Sequence, residues 1–91
     1  MSILARFTPN SLTAEQYDEA VREMDEVNSP PEGRDYHVCF GSDGDLRVSE
    51  IWDSREQFEA YGEKLMPKLA EIGIDPGPEP EIIEIHNIAK R

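Results

Sequence analysis

A chain of 91 residues has the size of one domain, near the range where a single core gives limited stability and a second buried surface against another copy would help. Nine Lys plus Arg against twenty Asp plus Glu give a formal charge of -11, which repels a phosphate backbone and an anionic membrane alike, so neither nucleic acid nor a membrane is an expected partner. The lone Cys39 excludes an internal disulfide, and no apolar run approaches a membrane span or a signal-peptide core, so a reducing cytoplasmic setting is expected.

In chain order, residues 2–8 (SILARFT) alternate, with Ile3, Ala5 and Phe7 on one face and Leu4 and Arg6 on the other. Thr8-Pro9 stops this first strand, because the residue before proline stays extended and proline lacks a ladder donor. Thr13 with Gln16 forms a cap-and-N3 pair. Tyr17, Ala20, Val21, Met24 and Val27 then recur at helical spacing opposite an acidic face. The segment 28–34 (NSPPEGR) turns the chain. A second strand follows, with Tyr36, Val38 and Phe40 on one face and His37 and Cys39 on the other. Residues 41–44 (GSDG) read as a tight hairpin loop, so the second and third strands are antiparallel neighbours.

The third strand places Leu46, Val48, Glu50 and Trp52 together, and Asp53-Ser54 switches strand to helix, with Gln57 completing a capping box on Ser54. The second helix presents Phe58, Tyr61, Leu65, Leu69 and Ile72. Pro67 predicts either a kink or a restart, and Gly73 ends the helix. An extended run, residues 74–80 (IDPGPEP), returns the chain to a last strand over 81–88, with Ile83 and Ile85 opposite Ile82, Glu84 and His86.

The order β-α-β-β-α-β predicts an α+β, ferredoxin-like domain spanning residues 1–91: a four-stranded antiparallel sheet in the spatial order four, one, three, two, with both helices on one face. Assigning one parity of each strand to the helices leaves apolar residues, among them Leu4, Ile51 and one isoleucine set of the last strand, on the bare face. A bare sheet face meeting water is more often polar, so a homodimer packed through the open sheet face is expected. Tyr36, Val38 and Phe40 are assigned to the helices, and His37 and Cys39 to the partner-facing side.

The run Glu50-Ile51-Trp52-Asp53-Ser54, followed by Phe58 and Tyr61, resembles the strand-to-helix signature of the small dimeric α/β-barrel proteins, specifically the antibiotic-biosynthesis-monooxygenase-like group. The resemblance implies two ferredoxin-like subunits packed sheet to sheet, each with a pocket between its own sheet and helices. Members include cofactor-free oxygenases acting on phenolic or quinone-like compounds and haem-degrading enzymes. Glu50 and Trp52 stand where the family commonly has an acidic and tryptophan pair, and Phe58 at its apolar helix position. Tyr61 stands where many members have histidine, and the first strand lacks the asparagine that the oxygenases often place there.

Trp52, Glu50, Phe58 and Tyr61 are therefore the candidate ligand-binding residues. Indole has one donor and no useful protonation near neutral pH, so Trp52 reads as a core or pocket-wall residue rather than a catalytic one. A carboxylate sharing its face needs a partner, for which Arg6 or Tyr36 is expected. His37, Glu50 and His86 are the candidates for a general base; the two histidines lie on opposite edge strands. No spacing signals a metal site or a cofactor. Two function classes follow: a homodimeric protein binding a small apolar or aromatic ligand between sheet and helices, and a cofactor-independent monooxygenase acting on a phenolic or quinone-like substrate. A purely structural interaction module is a third, distinguished by a filled space between sheet and helices.

Overall fold

The computed structural model describes residues 2–26 and 28–90, so the reading of Val27 as part of the first helix lies outside the described residues. Six elements follow one another: β1 (Ile3–Phe7), α1 (Ala14–Glu23), β2 (Arg34–Ser42), β3 (Asp45–Trp52), α2 (Arg55–Ile72) and β4 (Glu81–Glu84). The sheet order is β2-β3-β1-β4 with every neighbouring pair antiparallel. This is the α+β ferredoxin-like arrangement that the element order predicts.

Local chemistry sets the helix ends. Thr13 caps α1 in a full capping box: its hydroxyl accepts from the Gln16 amide, and the Gln16 side chain accepts from the Thr13 N–H. The hairpin turn at Asp43-Gly44 fastens to the same helix start, because Asp43 Oδ1 accepts from the Ala14 N–H at 2.9 Å. At the other end Asp25 adopts a left-handed conformation (φ 51°), and the Asp25 and Glu26 amides return to Arg22 and Val21. This is a Schellman closure with aspartate in the position usually held by glycine, and it stops α1 earlier than the apolar spacing predicts. Ser54 caps α2 through the Gln57 amide, but the Gln57 side chain bonds the Ser54 hydroxyl instead of the Ser54 N–H, so the expected capping box is half formed. Helix α2 runs through Pro67 as one helix. It ends at Gly73, whose positive φ of 88° lets its own amide and that of Ile74 close on Ala70 and Leu69.

Residues 74–80 then cross the end of the sheet. Asn10 pairs with Asp75 through backbone and side chain, and Asp75 also accepts from the Gly77 amide. The Gly77 bond first, and Asn10 second, hold the Asp75 carboxyl below its ordinary range. Glycine is needed at 77, where φ is 75° and a Cβ would collide with the Thr8 carbonyl.

Strand register assigns the two faces. On the helix side Ile82, Ala5, Glu50 and His37 lie in one cross-strand row, with Phe7, Val48 and Cys39 in the next. Ile3, Ala5, Trp52 and Phe58 form the buried cluster, supported by Phe7, Tyr61 and Ile82. On the open side Ile83, Leu4, Ile51 and Tyr36 form a row. Apolar parity assigns β2 the wrong way round: Tyr36 is 54% exposed and Phe40 41%, both on the bare face, while His37 and Cys39 turn toward the helices. Counting back from the hairpin, where Ser42 faces Asp45, already sets His37 opposite Glu50 and therefore on the covered face. A bulge then adds Arg34 to that face. Arg34 stands opposite Trp52 and Tyr36 opposite Ile51, so Asp35 is an extra residue in β2. Strand β4 is also shorter than the predicted 81–88: after the Ile85 N–H reaches the Ser2 carbonyl, β1 offers no further partner among the described residues.

Candidate functional site

A cavity of about 370 Å³ lies between the helix-covered face and the two helices, walled almost entirely by apolar groups. Helix α1 contributes Ala20 and Val21, α2 contributes Phe58, Leu65 and Leu69, and the segment from Ile74 to Pro80 closes the rim. Gly62 also lines it, and a Cβ there would meet open space, so close helix-to-sheet packing is not what requires a glycine at this position.

One end is polar, and five stretches of chain supply it: α1, the turn after it, β2, β3 and α2. Glu50 on β3 is the centre, its side chain only 6% exposed. Trp52 Nε1–H donates to Oε1 at 3.0 Å, while Arg34 Nη1 at 3.2 Å and His37 Nδ1 at 2.5 Å donate to Oε2. A carboxylate only accepts, so the Nδ1 of His37 carries a proton. In the neutral imidazole Nε2 then accepts from the Tyr17 hydroxyl of α1 at 2.6 Å. Arg34 Nη1 also donates to Glu26 Oε1 at 2.7 Å, and Tyr61 O–H donates to that same oxygen at 2.6 Å. The Schellman closure after α1 turns Glu26 into the site, and the bulge in β2 brings Arg34 and His37, three residues apart, onto one face.

The electrostatics follow from burial. Removal from water, then the charges of Cys39 and Glu26, pushes the Tyr17 phenol up to about 12. Burial and the Glu26 hydrogen bond raise the Tyr61 phenol as well. For Arg34 burial alone would lower the pKa, but the bond to Glu26 and the charges of Glu26 and Glu50 outweigh it and hold the guanidinium charged. Burial, then Asp18, pushes the Cys39 thiol up. Both phenols are thus kept as hydrogen-bond donors to acceptors within the cluster.

The candidate residues divide between wall, foundation and exterior. Glu50, Phe58, Tyr61 and His37 line the cavity. Trp52 is 0% exposed and lies beneath it, its ring centroid 5.8 Å from Phe58 and 5.6 Å from Tyr61. His86 is exposed beyond the end of β4, away from the cavity lining. The expected partners of Glu50 are corrected: Arg34, His37 and Trp52 hold it, whereas Arg6 is exposed beside Glu81 and Tyr36 is on the far face. Tyr17, Glu26 and Arg34 were not legible as site residues. Tyr17 reads as one more apolar helix position, and the other two fall in or beside a turn. Among the described residues no three His, Cys, Asp or Glu side chains converge as a metal site would require, and no helix is long and apolar enough to cross a membrane.

No protein-family model and no curated protein matches the chain. Solved structures do. Rv0793 from Mycobacterium tuberculosis superposes with a TM-score of 0.63 at 17% identity, over 98% of this chain and 97% of that one. SnoaB, a cofactor-independent oxygenase from Streptomyces nogalater, gives 0.62 at 10% identity, over 99% and 96%. A candidate antibiotic-biosynthesis monooxygenase from Chloroflexus aurantiacus gives 0.56 at 19% identity, over 97% and 95%. At these identities the likeness establishes architecture and leaves the chemistry to the residues. The chain has the ferredoxin-like fold of the antibiotic-biosynthesis-monooxygenase-like proteins.

Proposed function

We propose that this protein binds a small, largely apolar or aromatic ligand between its sheet and helices, and does so as a homodimer joined through the open sheet face. The observation that carries the reading is a cavity of about 370 Å³ with apolar walls and polar groups gathered at one end, the usual composition of a small-molecule site. The dimer rests on the apolar row through Ile83, Leu4, Ile51 and Tyr36, whose two ends are exposed and whose middle is half-buried, with exposed Phe40 beside it, a surface that a second copy would cover. Trp52, the single tryptophan, packs under the cavity and serves as the reporter. Across a panel of bicyclic and tricyclic aromatics, at least one compound is expected to change its fluorescence saturably and to raise the melting temperature. A panel giving neither response removes the reading.

A second reading, a cofactor-independent monooxygenase acting on a phenolic or quinone-like substrate, has one specific observation in its favour: Glu50 orients His37 at the cavity wall as a carboxylate orients a general base. In that reading His37 takes the phenol proton and the phenolate reacts with dissolved oxygen. The Tyr17 hydroxyl already occupies the basic nitrogen of His37, and this ranks binding ahead of catalysis. Oxygen uptake by the purified protein with hydroquinone or anthrone substrates, without added metal or flavin, would reverse that order.

A further inference from the structure

The polar end of the cavity has an uneven supply of hydrogen-bond partners, and this bears on the ligand's chemistry. Its side-chain protons are already given to acceptors within the cluster: Tyr17 to His37, His37 to Glu50, and Tyr61 to Glu26. Arg34 sits between the two carboxylates and is not part of the cavity lining. What is left toward the cavity is acceptor capacity. Each phenol oxygen has a lone pair to spare, and Glu26 Oε2 accepts no hydrogen bond among the described residues, although the Glu26 side chain is only 12% exposed.

Charge points the same way. With His37 a neutral imidazole, two carboxylates face one guanidinium, which leaves one negative charge uncompensated where water is scarce. The lining contains no lysine or arginine, while Glu79 adds a further carboxylate at the rim. A ligand carboxylate or phosphate would meet like charge with no donor to receive it. A neutral hydroxyl would satisfy one acceptor but leave the charge. An ammonium group meets both needs, and the Tyr17 and Tyr61 rings, which pack beside His37 and Arg34, also line the cavity.

We infer that the ligand carries a protonated amine, seated against Glu26 between Tyr17 and Tyr61, on an apolar body that fills the remainder of the cavity. This rests on the proposed use of the cavity as a ligand site. Three probes with one body separate the two claims: 1-naphthylmethylamine, 1-naphthylmethanol and 1-naphthoic acid, each titrated calorimetrically into the intact protein at near-physiological salt. The amine is expected to bind about tenfold or more tighter than the acid, a difference of about 1.4 kcal/mol or more, with the alcohol between them. Glu26→Gln, which keeps an oxygen to accept from Tyr61 and Arg34, should reduce the amine to the level of the alcohol and leave the alcohol unchanged. Glu79→Gln should preserve the preference, which separates a local contact from the general attraction of an acidic protein for cations. If Glu26→Gln does not fold, nuclear Overhauser contacts in the unaltered protein between the amine's methylene and the Tyr17 and Tyr61 rings carry the test, and their absence counts against the proposal. Equal binding of all three probes, tighter binding of the acid, or an amine preference that survives Glu26→Gln overturns the inference while leaving the cavity a ligand site. Failure of all three probes to bind overturns both.

Discussion

The two faces of the sheet are built from the same strands and solve opposite problems. The helix-covered face combines a buried apolar cluster with a charged one, in which Glu50 is saturated by three donors. The open face has the larger share of unpartnered apolar side chains, including Tyr36, Phe40 and Ile83. Hydrophobicity alone would exchange β2 between them. A histidine goes inside because it brings two satisfied hydrogen bonds with it, and a tyrosine goes outside because its opposite neighbour is Ile51 in an apolar row. Burial is decided by whether polar atoms find partners as much as by how apolar a residue is.

The contrast is broken most severely from the covered side. Trp52→Ala removes a fully buried indole together with a donor to Glu50, and is expected to cost about 3 to 5 kcal/mol in denaturant unfolding. A loss below about 1 kcal/mol would mean that the indole is not the foundation described. Glu50→Ala leaves the His37 Nδ1–H and the indole N–H without their acceptor and Arg34 with Glu26 alone. Breaking a buried charged pair from one side costs about 3 kcal/mol, and the same measurement should register it.

Alkaline pH tests the cluster more gently. The folded-state pKa of Tyr17 is raised from 10.0 to about 12, so between those values the unfolded chain loses a proton that the folded chain retains. Stability is therefore complete below about pH 10 and falls as pH rises toward 12. Tyr61 acts in the same direction. Tyr17→Phe should flatten part of that fall when unfolding curves at pH 9 and pH 11 are compared, and an unchanged slope would detach Tyr17 from the cluster. The smallest effect on folding is expected on the open face. Tyr36→Glu should change the unfolding free energy of the isolated chain by no more than about 0.5 kcal/mol, yet in light scattering it should convert a species of twice the chain mass to one of single mass. A species of single mass before substitution would remove the dimer.

The legible and illegible parts of the molecule differ in physical kind. Period-two alternation in β1 and β3 and the spacing of Phe58, Tyr61, Leu65 and Leu69 depend on neighbours along the chain, so the element order, the sheet order and the shared face of Glu50 and Trp52 can be read directly. The bulge at Asp35 cannot, since no glycine or proline marks it, and that extra residue is what puts Arg34 on the face of His37 and Glu50. Glu26 reaches the cavity through a helix closure that uses aspartate where glycine is the recognisable signal. The end of β4 depends on where β1 stops, which no alternation within residues 81–88 records. The polar site joins Tyr17, Glu26, Arg34, His37 and Glu50 from separate stretches, so it is visible only once the chain is folded.

The division of labour between the faces is tested most directly by a residue-resolved NMR titration with 1-naphthylmethanol, whose neutral head does not depend on the charge preference inferred for Glu26. Saturable shifts should appear at Tyr17, His37, Tyr61, Leu65 and Leu69, with Tyr36, Phe40 and Ile83 unmoved. Saturable shifts confined to Tyr36, Phe40 and Ile83, with the cavity residues silent, would contradict it.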